Sequence, residues 1–259
     1  MRDRIDTGPR FREADAVRLN RLYRGNDTLE MLTSVLHDGL AGEVAVVSSF
    51  GAESAVLLHL VSRIDPGLPV LFLETGKHFP ETLAYRDTLV ERLGLTNLRN
   101  LTPDAAELAA KDESGLRWSY DPDGCCELRK VKPLARALGS FDATITGRKA
   151  FQSGTRAALP RFEIDGSDAM GRLKINPLID WSPEMIADYI ALHDLPPHPL
   201  VAEGYPSIGC SPCTSKVAQG EDERAGRWRG WDKVECGIHV PDTPDAGQGD
   251  LPPDYDPVF

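Results

Sequence analysis

The chain has 259 residues, of which 41% are hydrophobic and 27% are charged, and these values are typical of a globular protein with one large domain or two small ones. Its formal net charge of −11 argues against nucleic acid as the main ligand, because binding to a phosphate backbone needs a basic surface, although a small anion can bind in a local cationic pocket. Residues 1–23 lack the apolar stretch of a signal peptide, and no apolar run approaches the roughly 20 residues of a membrane helix, so we expect a cytoplasmic protein with no membrane partner.

Strands and helices are predicted to alternate along the chain. Short apolar runs indicate strands buried on both faces, and apolar residues at helical spacing indicate the helices between them. This alternation indicates an α/β fold with a mainly parallel sheet flanked by helices. In chain order the predicted elements are a helical lead-in over 14–40, a strand over 43–49, a helix over 53–63, a strand over 68–73, a helix over 80–93, a strand over 95–101, helices over 102–111 and 126–138, strands over 141–146 and 174–178, and a helix over 182–193.

Prolines mark several of the predicted helix boundaries. Thr102 and Pro103 are the predicted N-cap and first residue of the helix that ends near Lys111. Pro133 lies within the predicted helix over 126–138, so we expect it to kink this helix or to confine the regular part to one side.

Three loops follow predicted strands at one edge of the sheet. Ligands of parallel sheets bind beyond the carboxyl ends of the strands, so the loops over 48–54, 74–79 and 147–156 are the expected rim of a site. The first loop leads through a glycine-containing turn into a helix whose N-terminus would face an anion. It lacks the Gly-Lys-Ser/Thr of a Walker loop, and an ordinary turn with a capping serine explains it equally well.

The cysteines form three groups, which are the adjacent Cys125 and Cys126, the C-x-x-C pair Cys210 and Cys213, and Cys236. In the cytoplasm such pairs serve metals or redox chemistry more often than disulfides. Zinc is the simplest ligand for four cysteines, but adjacent ligands are atypical of zinc sites. Neighbouring helical residues point about 100° apart, so a large centre suits them better. The pattern therefore favours an iron–sulfur cluster over zinc and leaves Cys236 as a candidate nucleophile.

Basic residues accompany these cysteines. Arg148 and Arg156 follow a strand end and are candidates to hold a phosphate or sulfate, although surface arginines are common. Arg224 and Arg227 are predicted to lie on one helical face as an oxyanion clamp, whereas a solvated face of mixed charge is the simpler alternative. Nearby cations would lower the pKa of Cys236, which otherwise is an exposed thiol on a flexible tail. Cations that would stabilise an anionic cluster or this thiolate are Arg129, Lys130, Lys132 and His239.

Together these motifs resemble the assimilatory adenylyl-sulfate (APS) reductases of the APS/PAPS reductase family. The resemblance runs from about Ser48 to His239, and several motifs in the same order are more specific than any one of them. The motifs are Ser49-Phe50-Gly51-Ala52-Glu53-Ser54, Glu74-Thr75-Gly76-Lys77-His78-Phe79-Pro80-Glu81-Thr82, Cys125-Cys126-x-x-Arg129-Lys130, Gly147-Arg148 with Gln152-Ser153 and Arg156, Gly209-Cys210-x-x-Cys213, and Glu235-Cys236-Gly237-Ile238-His239.

The resemblance implies a fold and a set of functional residues. The fold would be of the adenine-nucleotide α-hydrolase type, similar to the PP-loop enzymes, and the cofactor would be a [4Fe–4S] cluster on Cys125, Cys126, Cys210 and Cys213. Cys236 would be the nucleophile, with Lys130 between cluster and substrate. The remaining implied site residues are His239 beside the nucleophile, Ser48, Ser49, Leu73, Thr75 and Gly147 around adenosine, and Arg148, Arg224 and Arg227 on the phosphosulfate.

The implied reaction is the reduction of APS to sulfite and AMP through an S-sulfocysteine on Cys236, which thioredoxin resolves. The alternatives are a PAPS reductase, an ATP-pyrophosphatase or thiolase of the PP-loop type, and a non-catalytic metal-binding redox sensor. Whether the chain forms a homo-oligomer stays open. We expect a nucleotide-binding α/β domain with the iron–sulfur site over 1–220, a segment with the arginines and the nucleophile over 221–240, and a mobile, acidic tail over 241–259.

Overall fold

The computed structural model describes residues 9–152, 154–168, 170–233 and 235–239. The expected mobile tail over 241–259 lies outside these residues. Within them a sheet of six strands has the order β3-β2-β1-β4-β6-β5, and β5 alone is antiparallel to its neighbour. The mainly parallel sheet flanked by helices is thus confirmed. The strands are β1 Val44–Ser48, β2 Val70–Leu73, β3 Leu98–Leu101, β4 Ala143–Thr146, β5 Phe162–Ile164 and β6 Leu173–Ile175.

Helices connect the strands and cover both faces of the sheet. The helix between β1 and β2 and the helix between β2 and β3 make the crossovers that parallel neighbours require. No helix among the described residues is long and apolar enough to cross a membrane. The helices are α1 Glu13–Leu22, α2 Thr28–His37, α3 Ser54–Ser62, α4 Pro80–Leu93, α5 Ala105–Lys111, α6 Pro122–Cys126, a π-helical turn Glu127–Val131, α7 Lys132–Leu138 and α8 Pro183–Leu192.

The two faces of the sheet bury two separate apolar cores. Val46 and Phe72 point into the larger core, whereas their strand neighbours Ala45 and Leu71 point into the smaller one. This alternation follows from the period of two along a strand. Both faces are therefore covered, which explains why β1 and β2 read as continuous apolar runs. The smaller core consists of Ala45, Leu71, Leu73, Leu134, Leu138 and Phe141, and Ile238 packs against it.

Several local predictions differ from the structure. The N-cap of α5 is Asp104, whose carboxylate accepts hydrogen bonds from the backbone of Ala106 and Glu107 at 2.9 and 3.0 Å, so Thr102 is not the cap. Pro133 lies in the first turn of α7, directly after the π-helical turn Glu127–Val131, so the helix is irregular on the N-terminal side of the proline and regular after it. Residues 221–233 are turns rather than a helix, so the predicted helical face for the arginines is wrong.

The sheet has a topological switch point between β1 and β4. From β1 the chain proceeds to β2 and β3 on one side, and β4 and β6 lie on the other side. The loops after β1 and β4 therefore diverge and leave a crevice between them at the carboxyl edge. Open α/β sheets bind their ligands in such a crevice.

Candidate active site

A cavity of about 220 Å³ lies at the carboxyl edge of the sheet, over the switch point. It is bordered by the ends of β1, β2 and β4 and closed from the other side by residues 206–210 and by parts of 223–238. The predicted site residues that line it are Ser48, Ser49, Leu73, Lys130, Gly147, Arg148, Cys210, Arg224, Arg227 and Cys236.

Other predicted site residues lie elsewhere. Thr75 is fully buried behind the cavity, where its hydroxyl contacts the sulfur of Cys210 at 3.4 Å. Cys125, Cys126 and Cys213 are absent from the cavity lining and form the layer next to it. The side chain of His239 lies outside the described part of the structure, so its role stays a prediction.

The turn after β1 is shaped by Phe50, a member of the first motif to which no separate role was predicted. Phe50 adopts a left-handed conformation with φ of 49°, and its fully buried ring packs edge-on against Phe72 at 5.4 Å. Gly51 has an ordinary φ, but a Cβ there would make a tight contact of 3.3 Å with the carbonyl oxygen of Ile208. The glycine thus lets the rim loop approach the opposite wall closely rather than supplying the unusual dihedral angle.

Arg227 is held at the cavity by contacts with its neighbours. Its guanidinium carbon lies 4.5 Å from the ring centre of Trp228, a cation–π contact. Gly209 leaves room for the same guanidinium. Among the described residues the Nε of Arg227 is buried without a hydrogen-bond partner, and burial lowers the pKa of this group. A buried cation of this kind would be stabilised by an anion in the cavity.

The guanidinium of Arg148 is bonded to residues on or next to the strands. Its Nε donates to Thr146 Oγ1 and to Asn176 Oδ1, both at 3.2 Å, and its Nη2 pairs with Glu163. Arg148 is also buried. It therefore lines the cavity wall with its guanidinium already bonded, unlike Arg227.

A network of charged side chains joins the rim loops to the segment that carries Cys236. Arg156 forms a bidentate ion pair with Glu235, with Nε to Oε1 at 2.8 Å and Nη2 to Oε2 at 2.9 Å. Arg156 also donates to Gln152 at 2.6 Å, and Gln152 donates to Glu53 at 3.2 Å. Glu53 in turn pairs with Lys149 at 2.8 Å. This network was not predicted, because its acids have no distinctive sequence spacing.

Cys236 lies where its thiolate is stabilised. The thiol of Cys126 donates a hydrogen bond to its sulfur, and this bond, together with the charges of Lys130 and Arg227, holds the pKa of Cys236 well below its ordinary value of 9.0 although burial opposes the shift. The same bond raises the pKa of Cys126. Burial disfavours the charge of Lys130, but the Coulombic interactions with the sulfurs of Cys210, Cys236 and Cys126 outweigh it and raise the pKa of the ammonium group. A half-buried cysteine with this surrounding is suited to nucleophilic attack.

The other four cysteines come from two facing segments, α6 and the turn over 210–213. All are free thiols, and burial raises the pKa of Cys125 and raises that of Cys213 to about 11. Within the described residues, no group of three or more His, Cys, Asp or Glu side chains is arranged to hold a metal ion. The four thiols therefore lie on facing segments, but within the described residues they are not arranged with the geometry of a metal site.

Comparison with known proteins identifies the family. The model of the phosphoadenosine phosphosulfate reductase domain matches residues 43–216. A protein of Mesorhizobium japonicum named adenosine 5'-phosphosulfate reductase is 52% identical over 88% of this chain and 88% of its own length. The chain belongs to the APS/PAPS reductase family. A second relative with the same name, from Mycobacterium tuberculosis, is 43% identical over 75% of this chain and 76% of its own.

Solved structures agree with membership of the APS/PAPS reductase family. A phosphoadenylyl-sulfate (PAPS) reductase from Candida auris, in a phosphate complex, superposes with a TM-score of 0.66 at 26% identity over 81% of this chain and 100% of that one. Candida glabrata FMN adenylyltransferase in complex with FAD and inorganic pyrophosphate has a TM-score of 0.51 at 15% identity over 86% of this chain and 85% of that one, which shows a shared fold alone. The adenine-nucleotide α-hydrolase-like fold is thus confirmed.

Proposed function

We propose that this chain reduces APS to sulfite and AMP in sulfate assimilation, with Cys236 as the nucleophile. The observation that carries the proposal is that Cys236 borders the same cavity as the strand-end loops, Arg224 and Arg227. The thiolate is the attacking form of cysteine. The guanidinium groups offset its repulsion from an anionic sulfate, which is the main electrostatic obstacle to attack.

The cavity suits the two halves of APS. Ser48, Ser49, Leu73 and Gly147 border the end at the switch point, where this fold class accepts a nucleotide, and we assign them to adenosine. Thr75 does not line the cavity, so its proposed role is indirect, through the contact of its hydroxyl with the sulfur of Cys210. The phosphosulfate is assigned to the arginine end, next to Cys236.

Arg224 and Arg227 are the proposed phosphosulfate ligands. A guanidinium binds two oxyanion oxygens at once, and the Nε of Arg227 has no hydrogen-bond partner among the described residues. Arg148 is the weaker candidate for a direct contact, because Glu163, Thr146 and Asn176 already occupy its guanidinium.

The first half-reaction is a displacement at sulfur. The Cys236 thiolate attacks the sulfur atom of APS, an S–S bond forms, and the bond from sulfur to the bridging oxygen breaks. AMP leaves with the electron pair, and Cys236 carries a sulfonate as S-sulfocysteine. Lys130 lies near the thiolate and can offset the negative charge that develops in this step.

The second half-reaction needs a dithiol reductant, for which thioredoxin is the proposed partner. Its thiolate attacks the Cys236 sulfur and expels sulfite, and its second thiol then resolves the mixed disulfide. The two electrons come from the dithiol, so the protein needs no electron store of its own. A pool of reduced thiols is available in the cytoplasm, where we place the reaction.

The proposed cofactor is a [4Fe–4S] cluster held by Cys125, Cys126, Cys210 and Cys213. The donor chemistry fits, because four free thiols come from two facing segments and Lys130 and Arg227 lie near enough to offset a four-thiolate centre. When bound, the cluster would supply a fixed anionic centre that orders Lys130. We assign no chemical step to it.

APS is the proposed substrate rather than its 3'-phosphorylated relative PAPS. Relatives named adenosine 5'-phosphosulfate reductase match most of the chain at 52% and 43% identity, whereas the solved PAPS reductase is 26% identical. A competition assay with equal concentrations of APS and PAPS tests this preference. Consumption of PAPS at the faster rate would reverse the assignment.

The test of the reaction is an anaerobic assay with APS in two stages. Without reductant, we expect one equivalent of AMP, no sulfite, and a sulfonate on Cys236 detected by mass spectrometry. Addition of thioredoxin should then release sulfite, and Cys236→Ser should abolish both products. Sulfite release by Cys236→Ser at the parent rate would refute the proposal, and an absence of AMP from the parent protein would favour a redox sensor. Iron and labile-sulfide analysis of the same preparation tests the cluster independently.

A further inference from the structure

The segment around Cys236 is attached to the protein on both sides of the cysteine. On the N-terminal side Glu235 makes the bidentate ion pair with Arg156, and both side chains are only about a tenth exposed. On the C-terminal side Ile238 packs against the smaller core. Gly237 lies so close to the π-helical turn Glu127–Val131 that a Cβ there would be 3.1 Å from the side chain of Val131. Cys236 is thus held between a polar anchor and an apolar anchor.

The polar anchor is itself rigidly supported. Arg156 donates to Gln152, which bonds to Glu53, and Glu53 pairs with the buried Lys149. These residues belong to the rim loops after β1 and β4. Arg224 adds a contact to Glu235 at 3.4 Å. The position of Glu235 is therefore tied to the carboxyl edge of the sheet, where the nucleotide is proposed to bind.

The ion pair is better suited to fixing a geometry than to stabilising the fold. Removing two charges from water costs about as much free energy as their attraction returns, so buried pairs contribute little net stability. A bidentate carboxylate–guanidinium contact does fix both distance and orientation. Since Glu235 directly precedes the cysteine, its contact with Arg156 restrains the backbone that carries Cys236.

The geometry points to Glu235 as a positioning residue that holds Cys236 over the cavity through Arg156, an inference that rests on the proposed function. Arg156 is then an anchor for the protein's own carboxylate rather than a ligand of the substrate. Arg227, whose guanidinium borders the cavity, is then the arginine whose Nε is available to the phosphosulfate, while Arg224 borders the cavity and also contacts Glu235. The Glu235–Arg156 pair should also affect the two half-reactions differently. Attack on APS requires that the Cys236 sulfur be fixed over the cavity, whereas attack by a reductant requires that the same sulfur be accessible.

The test uses the holoenzyme with Glu235→Gln, which removes the charge and keeps the shape, and Arg156→Lys, which keeps the charge and removes the bidentate contact. Glu221→Gln is the matched control, because Glu221 pairs with Arg229 at 2.9 Å in the same segment but on the exposed surface. Circular dichroism establishes that each variant folds. If Glu235→Gln does not fold, Glu235→Asp, which retracts the carboxylate by one methylene, takes its place.

The first readout needs no substrate. Iodoacetamide alkylation of Cys236, followed by mass spectrometry at the pH-independent plateau of the rate, reports how freely the sulfur is reached. We expect roughly 5-fold faster alkylation or more in Glu235→Gln and Arg156→Lys, and an unchanged rate in Glu221→Gln. An unchanged rate in the first two variants would refute the positioning role whatever the protein catalyses.

The second readout is single turnover with APS in the absence of reductant. A misplaced nucleophile should lower the rate constant of AMP release at saturating APS by about 10- to 100-fold. The APS concentration that gives half of the maximal rate should change by less than about 3-fold. Sulfite release from the isolated S-sulfo protein by thioredoxin should not slow. The inference would be overturned if only the APS concentration at half of the maximal rate rose, or if both half-reactions slowed equally. If the parent itself releases no AMP, the proposed function fails, and the alkylation result still decides the role of Glu235.

Discussion

The guanidinium of Arg227 lies directly against the backbone of Gly209, so closely that a Cβ on Gly209 would be 2.6 Å from Cζ. No real Cβ approaches a guanidinium carbon to this distance, so any side chain at position 209 displaces Arg227. Gly209 directly precedes Cys210, and its N–H is fixed by Thr214 Oγ1 at 3.2 Å, so the backbone cannot easily retreat. The position of the Arg227 guanidinium therefore depends on the absence of a side chain at position 209.

We predict that Gly209→Ala weakens APS binding without altering Arg227 itself. The displaced guanidinium loses a charge-assisted bidentate contact, which is worth about 1.5 to 3 kcal/mol, so the KM for APS should rise roughly 10- to 100-fold. The measurement is steady-state sulfite production against APS concentration. Gly139→Ala is the control, because its Cβ would meet only the carbonyl oxygen of Arg136 at an ordinary 3.8 Å. An unchanged KM in Gly209→Ala would contradict the assignment of Arg227 as a ligand of the phosphosulfate.

Arg148 offers a contrasting prediction, because its guanidinium is already bonded to Glu163 and Asn176. We expect Arg148→Gln to lower the free energy of unfolding by about 1 to 3 kcal/mol, since it leaves the carboxylate of Glu163 without its cationic partner and with the amide of Asn176 as its remaining contact among the described residues. The KM for APS should rise by less than it does in Gly209→Ala. Urea unfolding and steady-state kinetics on the same preparations decide this. A large rise in KM with unchanged stability would instead support the sequence-based assignment of Arg148 to the phosphosulfate.

The parts of the fold that can be predicted from sequence are those with one physical explanation. The run Val44–Val47 is continuously apolar and too short for a helix, so only a strand buried on both faces accounts for it. Strand β5 has only three residues at the antiparallel edge of the sheet, and such a segment carries too little pattern to be recognised. The strand predicted over 174–178 overlaps its partner β6, Leu173–Ile175, at two residues.

The segment over 221–233 shows how spacing misleads. Arg224 and Arg227 are three residues apart, which favours a helix, but the backbone there makes only single turns and also bonds to another segment. Ser215 N donates to the carbonyl of Gly226 at 2.8 Å, and a Cβ on Gly226 would collide with that backbone. Trp228 then turns the chain with φ of 46°. These constraints come from tertiary contacts, which no local periodicity records.

The candidate site divides in the same way. The cysteine grouping and the strand-end loops are visible in the sequence because each has a distinctive spacing. The pairing of Glu235 with Arg156 joins residues 79 positions apart, and a glutamate beside a cysteine looks like any surface acid. Its burial and its partner appear only after the C-terminal segment has folded onto the rim loops.

Breaking the buried pair of Asp112 and Arg129 should destabilise the protein strongly, although the intact pair adds little net stability. Both side chains are buried, Arg129 Nη2 and Asp112 Oδ2 are 2.5 Å apart, and Arg129 also donates to the carbonyl of Thr75 at 2.8 Å. Asp112→Asn leaves a buried guanidinium unpaired and should lower the free energy of unfolding by about 3 to 5 kcal/mol in urea titrations. Asp194→Asn, in an exposed pair with Arg92, should cost less than about 1 kcal/mol. Equal effects would mean that burial of the first pair is not what matters.

His198 should make the protein less stable in mild acid. The ring is 1% exposed, and burial lowers its pKa to about 4 from 6.5. Its Nδ1 accepts from the backbone N–H of Leu200 at 3.2 Å, so Nε2 carries the proton and donates to Thr82 at 3.1 Å. A second proton would have to displace the Leu200 bond.

Because the unfolded state takes up this proton more readily than the folded one, the contribution of neutral His198 is fully present above pH 6.5 and is lost as the pH falls from 6.5 towards 4. The loss at the lower limit is about 3 kcal/mol. Urea unfolding at a series of pH values measures it. His198→Asn keeps an acceptor for Leu200 but cannot be protonated, so its stability should be lower at neutral pH and should depend less on pH. A variant that declines with acid as steeply as the parent would show that other groups cause the acid sensitivity.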